Sequence, residues 1–234
     1  MNVTTSQINL VTALRAVEEF AKGDALTTRI ASVEHELSHA SREEIVARLT
    51  SKGFGEQTLL AALAIKAAAG QINVVIHALG ILMSLEHVLV PGENVQSLSL
   101  GAGNTGRPFD LETDRQIAEF KFIRWRGRDT IRQNSTFVDI FNLCSARTKR
   151  RRVLYVLDKA HPLRFLRGRR ALASVLSKNA GAARRFSELH GTKYERVGQY
   201  YATIEKRIEI VDLRDLVPAF KKVSSDSMDE VSCE

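Results

Sequence analysis

Three side chains define the chemistry this sequence offers: Asp110, Glu119 and Lys121. The segment Ile117-Ala118-Glu119-Phe120-Lys121-Phe122-Ile123 alternates as a strand, which places Glu119 and Lys121 on one face with Ile117 and Ile123. Ala118, Phe120 and Phe122 occupy the other face. Large apolar groups on both faces describe an interior strand, where a carboxylate and an ammonium are costly unless paired or bound to a metal ion. The polar turn from Thr113 to Gln116 supplies a second carboxylate. If Thr113 pairs with Gln116, paired residue numbers sum to 229 and Asp110 faces Glu119, with Cβ atoms about 5 Å apart. Facing like charges destabilise a sheet, and a divalent cation between them removes the repulsion. Mg²⁺ (or Mn²⁺) suits such a pair, because Mg²⁺ takes one or two carboxylates and fills its shell with water and phosphate oxygens. Lys121, one step along the same face, would orient water and stabilise charge developing on a phosphate.

The plain alternative is a solvated hairpin whose Asp, Glu and Lys form cross-strand ion pairs. The apolar residues on both faces argue against it, and so does the charge that follows. The chain of 234 residues has a formal net charge of +7, unevenly placed. Residues 1–100 carry 7 Lys/Arg against 10 Asp/Glu, whereas residues 101–234 carry 27 against 17. Between Arg124 and Arg170, 14 basic residues are opposed only by Asp129, Asp139 and Asp158. A block of this kind favours a polyanionic partner, with nucleic acid first and DNA ahead of RNA. The candidate contacts are Arg107, Arg124, Arg126 and Arg128 beside the hairpin, and Arg132 with Gln133 at the start of the next helix. Lys149, Arg150, Arg151 and Arg152, then Arg164, Arg167, Arg169 and Arg170, continue the track.

Other motifs carry less. Gly101-Ala102-Gly103-Asn104-Thr105-Gly106 matches the dinucleotide-binding spacing, but that motif must open a helix and here Pro108 and an extended stretch follow. Ser41 to Ala69 allows a helix-turn-helix around Gly53-Phe54-Gly55, in a region too acidic and alanine-rich to favour DNA. His77 reads as a core or interface histidine and His161 as a turn residue. Cys144 and Cys233 make neither a disulfide framework nor a metal cluster, which favours a reducing, cytoplasmic setting. The first residues lack the basic start and apolar run of a signal peptide.

The elements that must hold the hairpin form an α+β plan. Thr5 or Ser6 caps a first helix ended by Gly23; Leu26–His39 is a second; the capping box Ser41-Arg42-Glu43-Glu44 opens a third that stops at Gly53. Leu59–Ala69 and Ile72–Leu89 read as two buried helices split by Gly70, each too short to cross a bilayer, so no membrane partner is expected. After Pro91 come strands at Val95–Leu100, Phe109–Glu112 and Ile117–Trp125, a helix at Thr130–Ala146 and a strand at Val153–Leu157. Helices at Pro162–Asn179 and Ala182–His190 and a strand at Ile208–Val211 complete the plan. Residues 1–70 form a helical N-terminal region through which a homodimer would assemble, residues 71–220 the α/β core, and residues 221–234 a disordered tail.

An Asp, a spacer and Glu-x-Lys across a hairpin, following a helix and a first strand, resembles the PD-(D/E)xK nuclease superfamily. The order of helix, three-stranded antiparallel meander, helix and strand over roughly residues 72–157 is similar to that superfamily's restriction-endonuclease-like core. The resemblance implies that Asp110 and Glu119 bind Mg²⁺, that Lys121 is the catalytic lysine, and that Glu86 on the preceding helix is a further metal ligand. Pro108 and Asp110 are separated by Phe109, a departure that leaves room for Glu112 in place of Asp110. The expected activity is metal-dependent hydrolysis of phosphodiester bonds. The alternatives are a non-catalytic nucleic-acid-binding or assembly protein on the same fold, and a nucleotide-binding protein using the glycine loop.

Overall fold

The computed structural model describes residues 9–22, 25–51, 55–101, 106–123, 125 and 129–222. The described chain divides into two compact units, residues 1–73 and residues 74–234.

The first unit is helical: α1 (Leu10–Ala21), α2 (Leu26–Leu37), α3 (Arg42–Ser51) and the opening half of α4 (Glu56–Val88). Asn9 caps α1, its side chain accepting from the Val11 amide at 2.9 Å. Thr5, Ser6, Gly23 and Gly53, assigned to the ends of these helices, lie outside the described residues. The capping box of α3 forms as its spacing requires: the Glu44 amide donates to the Ser41 hydroxyl at 3.3 Å, and Glu44 accepts from the Ser41 amide at 2.8 Å.

The two buried helices expected between Leu59 and Leu89 are one helix of 33 residues. Gly70 lies inside it, because a single glycine costs only about 1 kcal/mol against the long helix it interrupts, alanine-rich on its N-terminal side. Nor is the helix buried along its most apolar stretch. Its most apolar 18-residue window has a mean hydropathy of 1.8 and only 6% of it is buried, and by length and composition this helix is able to cross a membrane. The halving on which the argument against a span rested is therefore corrected.

The second unit is α+β, with a five-stranded mixed sheet ordered β1 (Val95–Leu98), β2 (Leu111–Thr113), β3 (Gln116–Lys121), β4 (Arg151–Val156) and β5 (Glu209–Asp212). The first three strands run antiparallel, and β4 and β5 pair parallel beyond β3. β2 and β3 pair Leu111 with Ala118 and Glu112 with Ile117, the register that sums to 229. Being central, β3 is covered on both faces. Ile117, Leu154 and Val156 look toward one cluster, built on α5 (Thr130–Ser145) with α6 (Ala160–Leu166), α7 (Leu172–Leu176), α8 (Ala180–His190) and α9 (Val197–Ile204). Ala118, Phe120, Val153 and Tyr155 face a second cluster with Ile81 and Val88 of α4 and Leu213 of α10 (Leu213–Leu216), with α11 (Pro218–Lys222) alongside. The sheet is thus the middle of three layers.

Several expected bounds shift. The helix placed at Pro162–Asn179 is two short ones, interrupted by a loop at Arg167–Ala171, and α9 is an element the sequence reading omitted. The strand reading of Ile117–Trp125 shortens to Gln116–Lys121. Residues 223–234, most of the expected tail, lie outside the described residues.

Buried Gln116 ties these layers together. Its side-chain amide donates to the Val88 carbonyl at 3.1 Å and to Glu93 Oε1 at 2.9 Å, and its oxygen accepts from the Tyr155 hydroxyl at 2.9 Å. A buried amide with all these bonds made is favourable, while losing any leaves an unsatisfied polar group costing about 1–3 kcal/mol. The end of α4 is thereby fixed on the start of β3.

Candidate active site

Four segments of the second unit bring ionisable side chains together: α4, the lead into β2, β3 and α5. Alternation along β3 turns Glu119 and Lys121 to the face with Ile117, and the hairpin register carries Asp110 alongside. One Asp110 oxygen accepts from the Phe120 amide at 2.9 Å. The other lies 3.3 Å from His77 Nε2 on α4, and both side chains are more than four-fifths buried. Glu119 shares a hydrogen bond with Asp110. The Lys121 ammonium meets Asp139 of α5 at 2.8 Å, and a third of the Lys121 side chain remains open to solvent.

The electrostatics follow from burial and proximity. Burial, then the negative charges of Asp139 and Asp110, push the Glu119 carboxyl up to about 10, with Lys121 only partly offsetting them. Glu119 therefore carries a proton at neutral pH. Burial also acts to raise Asp110, but bonds from His77 and from the Phe120 amide outweigh it and hold that carboxyl below its ordinary value. Burial acts to lower Lys121, yet the charge of Asp139 and its hydrogen bond, with Asp110 beyond, prevail and keep it charged. One ionised carboxylate and one protonated carboxyl thus share a hydrogen bond beside an ammonium that is itself paired.

Asp110, Glu119 and Lys121 converge as the alternation and turn geometry require. Glu86 does not join them. Its carboxylate is 80% exposed and pairs with His87 at 3.2 Å, and the residue that α4 turns toward Asp110 is His77. Glu112, the alternative to Asp110, is ion-paired with Arg150 at 3.0 Å. Among the described residues no group of three or more His, Cys, Asp or Glu side chains is arranged to hold a metal ion. The donor set that does converge, two carboxylates without a thiol, fits a hard cation that completes its shell with water and substrate oxygens.

The basic candidates separate into engaged and free. Arg150 donates to Glu112, to the Thr113 carbonyl at 2.7 Å and to Gln96 at 3.1 Å. Arg151 forms a two-point pair with Glu209, and Arg152 donates to the carbonyls of Leu143, Ala146 and Thr148. These three guanidinium groups hold the sheet and its loops. Arg132 pairs with Asp129 at the cap of α5, and Gln133 accepts from Arg170. Arg107 and Lys149 are exposed. Arg124, Arg126 and Arg128 lie outside the described residues, as do residues 102–105 of the glycine loop. Residues 106–110 behind that loop are non-helical and lead into β2, so no helix opens behind the glycines.

His77 and Asp139 belong to this cluster without having been assigned to it from sequence. Asp139 did leave a signal: it lies within one turn of the buried Thr136 and Leu143, so an acid in a buried stripe requires a partner. His77 left none, since a histidine on an apolar helix is most often structural. No family model, curated protein or solved structure matches this chain.

Proposed function

We propose that this chain is a Mg²⁺-dependent (or Mn²⁺-dependent) phosphodiesterase acting on nucleic acid, DNA ahead of RNA, on a restriction-endonuclease-like core. The observation that carries the reading is the convergence of Asp110, Glu119 and Lys121 on one face of a central strand, in the same unit as the basic surface. Asp110 and Glu119 would hold the cation, which when bound supplies Lewis-acid activation of water and of the phosphate. The chain's own residues do the rest. Glu119 gives up its proton as the site gains positive charge, so the ionised pair and the cation come close to neutrality. His77 and the Phe120 amide fix the Asp110 carboxylate from behind. Lys121, on the same face of β3 as Glu119 and a third exposed, holds the attacking water and meets the charge growing on phosphorus-bound oxygen. Asp139 anchors the lysine until substrate phosphate competes for it.

The test is Mg²⁺-dependent cleavage of plasmid, linear and single-stranded DNA by the wild type, Glu119→Ala and Lys121→Ala. Each variant should lose on the order of 10²–10³ in rate. Equal activity in the variants, or none by the wild type on any nucleic acid, sinks the catalytic reading. Binding without cleavage by the wild type would leave the fold a non-catalytic nucleic-acid binder.

A further inference from the structure

A second concave site in the same unit takes no part in the carboxylate cluster. It has a volume of about 360 Å³ and is lined by Thr130, Gln133, Phe165, Gly168, Arg169 and Arg170. Two of these residues are cationic and none is acidic. Phe165 supplies an apolar wall, backed by Trp125 at 5.8 Å between ring centroids. Trp125 is 5% exposed and its indole N–H has no hydrogen-bond partner among the described residues.

The loop bearing the arginines is built rigid. The Val197 amide donates to the Arg170 carbonyl at 3.0 Å, the Gly198 amide to the Gly168 carbonyl at 3.1 Å, and the Gly168 amide to the Phe165 carbonyl at 2.9 Å. This approach needs glycine on both sides. A Cβ on Gly198 would sit 2.7 Å from the Gly168 oxygen, and one on Gly168 would sit 2.9 Å from the Phe165 oxygen. The guanidinium groups are then sorted. Arg167 turns away to Glu205 at 2.6 Å, and Arg170 is held over the cavity by the Gln133 side-chain oxygen. Arg169 is exposed and has no ion pair or hydrogen bond among the described residues. A basic surface that served only solubility would not require a backbone locked this closely around two neighbouring cations.

We propose that this cavity binds a backbone phosphate of a polynucleotide strand, with Arg169 as the free guanidinium, Arg170 as the pre-oriented one and the Thr130 hydroxyl as a further donor. Planar guanidinium groups match phosphate oxygens in pairs, and an acid-free lining selects an anion. The assignment rests on the nucleic-acid reading of the neighbouring carboxylate site and gives it a substrate contact. Gln133 of the cavity and Asp139 of the carboxylate cluster are six residues apart on α5, or about 9 Å of helix rise. At about 3.4 Å per nucleotide step that rise is two or three steps, so a strand running along α5 would place one or two nucleotides between the two sites.

The experiment measures affinity of the full chain for fluorescein-labelled single- and double-stranded oligonucleotides in EDTA, between 50 and 300 mM salt. It compares the wild type with Arg169→Ala, Arg169→Glu, Arg169→Ala/Arg170→Ala and the exposed control Lys206→Ala. Arg169→Ala should weaken binding about five-fold and reduce the salt slope by about one, the double variant by about two, and Lys206→Ala should lie within two-fold of the wild type. Arg169→Glu should weaken binding more than Arg169→Ala. Because the Arg169 side chain is exposed and makes no ion pair or hydrogen bond among the described residues, its variants should melt as the wild type does, which separates binding from folding. Unchanged affinity and slope in both Arg169 variants overturn the site, as does a wild type that binds no oligonucleotide at 50 mM salt. Displacement of oligonucleotide by inorganic phosphate at equal molar affinity would also overturn the polynucleotide assignment. Cleavage measured in parallel separates the two readings. Arg169-dependent binding without cleavage leaves the phosphate site standing and removes the nuclease; Glu119-dependent cleavage with Arg169-independent binding does the reverse.

Discussion

Between Val74 and Lys222 the chain covers both faces of a sheet, whereas the helices before Asn73 bury only Ala13, Val33 and Ala61 among the described apolar residues. In the second unit Phe120, Phe137, Phe141 and Ile140 are no more than 1% exposed. In the first, Leu10, Val11 and Leu14 of α1 and Leu59, Leu60 and Leu63 of α4 stay 43–60% exposed. Both units have well-formed helices, so the contrast is not one of secondary structure. Helix propensity, caps and amphipathic spacing are enough to draw a helix, but its stability in a protein comes from what its apolar face meets. The second unit supplies that partner from its own sheet. The unit with the rigid core is also the one that holds buried ionisable groups at 3 Å from one another, because only a close-packed frame bears the desolvation cost of such a cluster.

Truncation in the core gives the largest effect and tests one side of the contrast. Ile140 is fully buried in the cluster over the face of the sheet that carries Glu119. Ile140→Ala should cost about 3–4 kcal/mol in denaturant unfolding. A loss below 1 kcal/mol would mean that this core is not the one that forms in solution.

The same contrast explains what could be read from the sequence. The Thr113–Gln116 turn and the two-residue alternation of β3 are local, so they fixed the register and brought Asp110 to Glu119 without reference to the rest of the chain. The α+β order after Pro91 was legible for the same reason. Tertiary partners were not. The run Lys149–Arg152 looks like a phosphate track as a string of charges, yet Glu112, Glu209 and the carbonyls of Leu143, Ala146 and Thr148 occupy three of its four side chains. His77 is 33 residues before Asp110 and nothing local to it announces a carboxylate. In α4, Gly70 reads as a stop because glycine is a poor helix former, but the helix formers before it, Ala67 to Ala69, and the apolar turns after it outweigh it. Burial was assumed for that helix from hydropathy alone, and hydropathy does not say whether a partner is present.

Asp212 marks the junction of β5 with α10 and should give an intermediate effect. It is 4% exposed, caps α10 by accepting from the Arg214 amide at 3.0 Å, and pairs with the Arg214 guanidinium at 2.6 Å. Asp158 lies 3.4 Å from the same guanidinium. Burial acts to raise the Asp212 carboxyl, but the Arg214 side-chain and backbone bonds prevail and hold it below its ordinary value. A carboxyl lowered by folding contributes stability above its unfolded value of about 3.9, and that contribution is lost as pH falls through the lower native value. Asp212→Ala should cost about 2 kcal/mol at neutral pH, and the loss should shrink as pH falls through the native value. A difference from the wild type that grows on acidification would show the opposite sign of coupling.

The smallest effect bears most directly on the first unit. Leu14 is 56% exposed on the outer side of α1, one turn from Leu10. With no partner on that face among the described residues, Leu14→Ala removes little buried surface and trades one good helix former for another, so it should change stability by less than about 0.5 kcal/mol. The measurement is chemical denaturation at two protein concentrations a hundred-fold apart. A near-zero change at both keeps the two units as different as their burial makes them. A loss above 1 kcal/mol that grows with concentration would instead mean that a second copy covers α1 in solution. The first unit would then have a core that is shared between chains, and its difference from the second would be one of where the partner comes from.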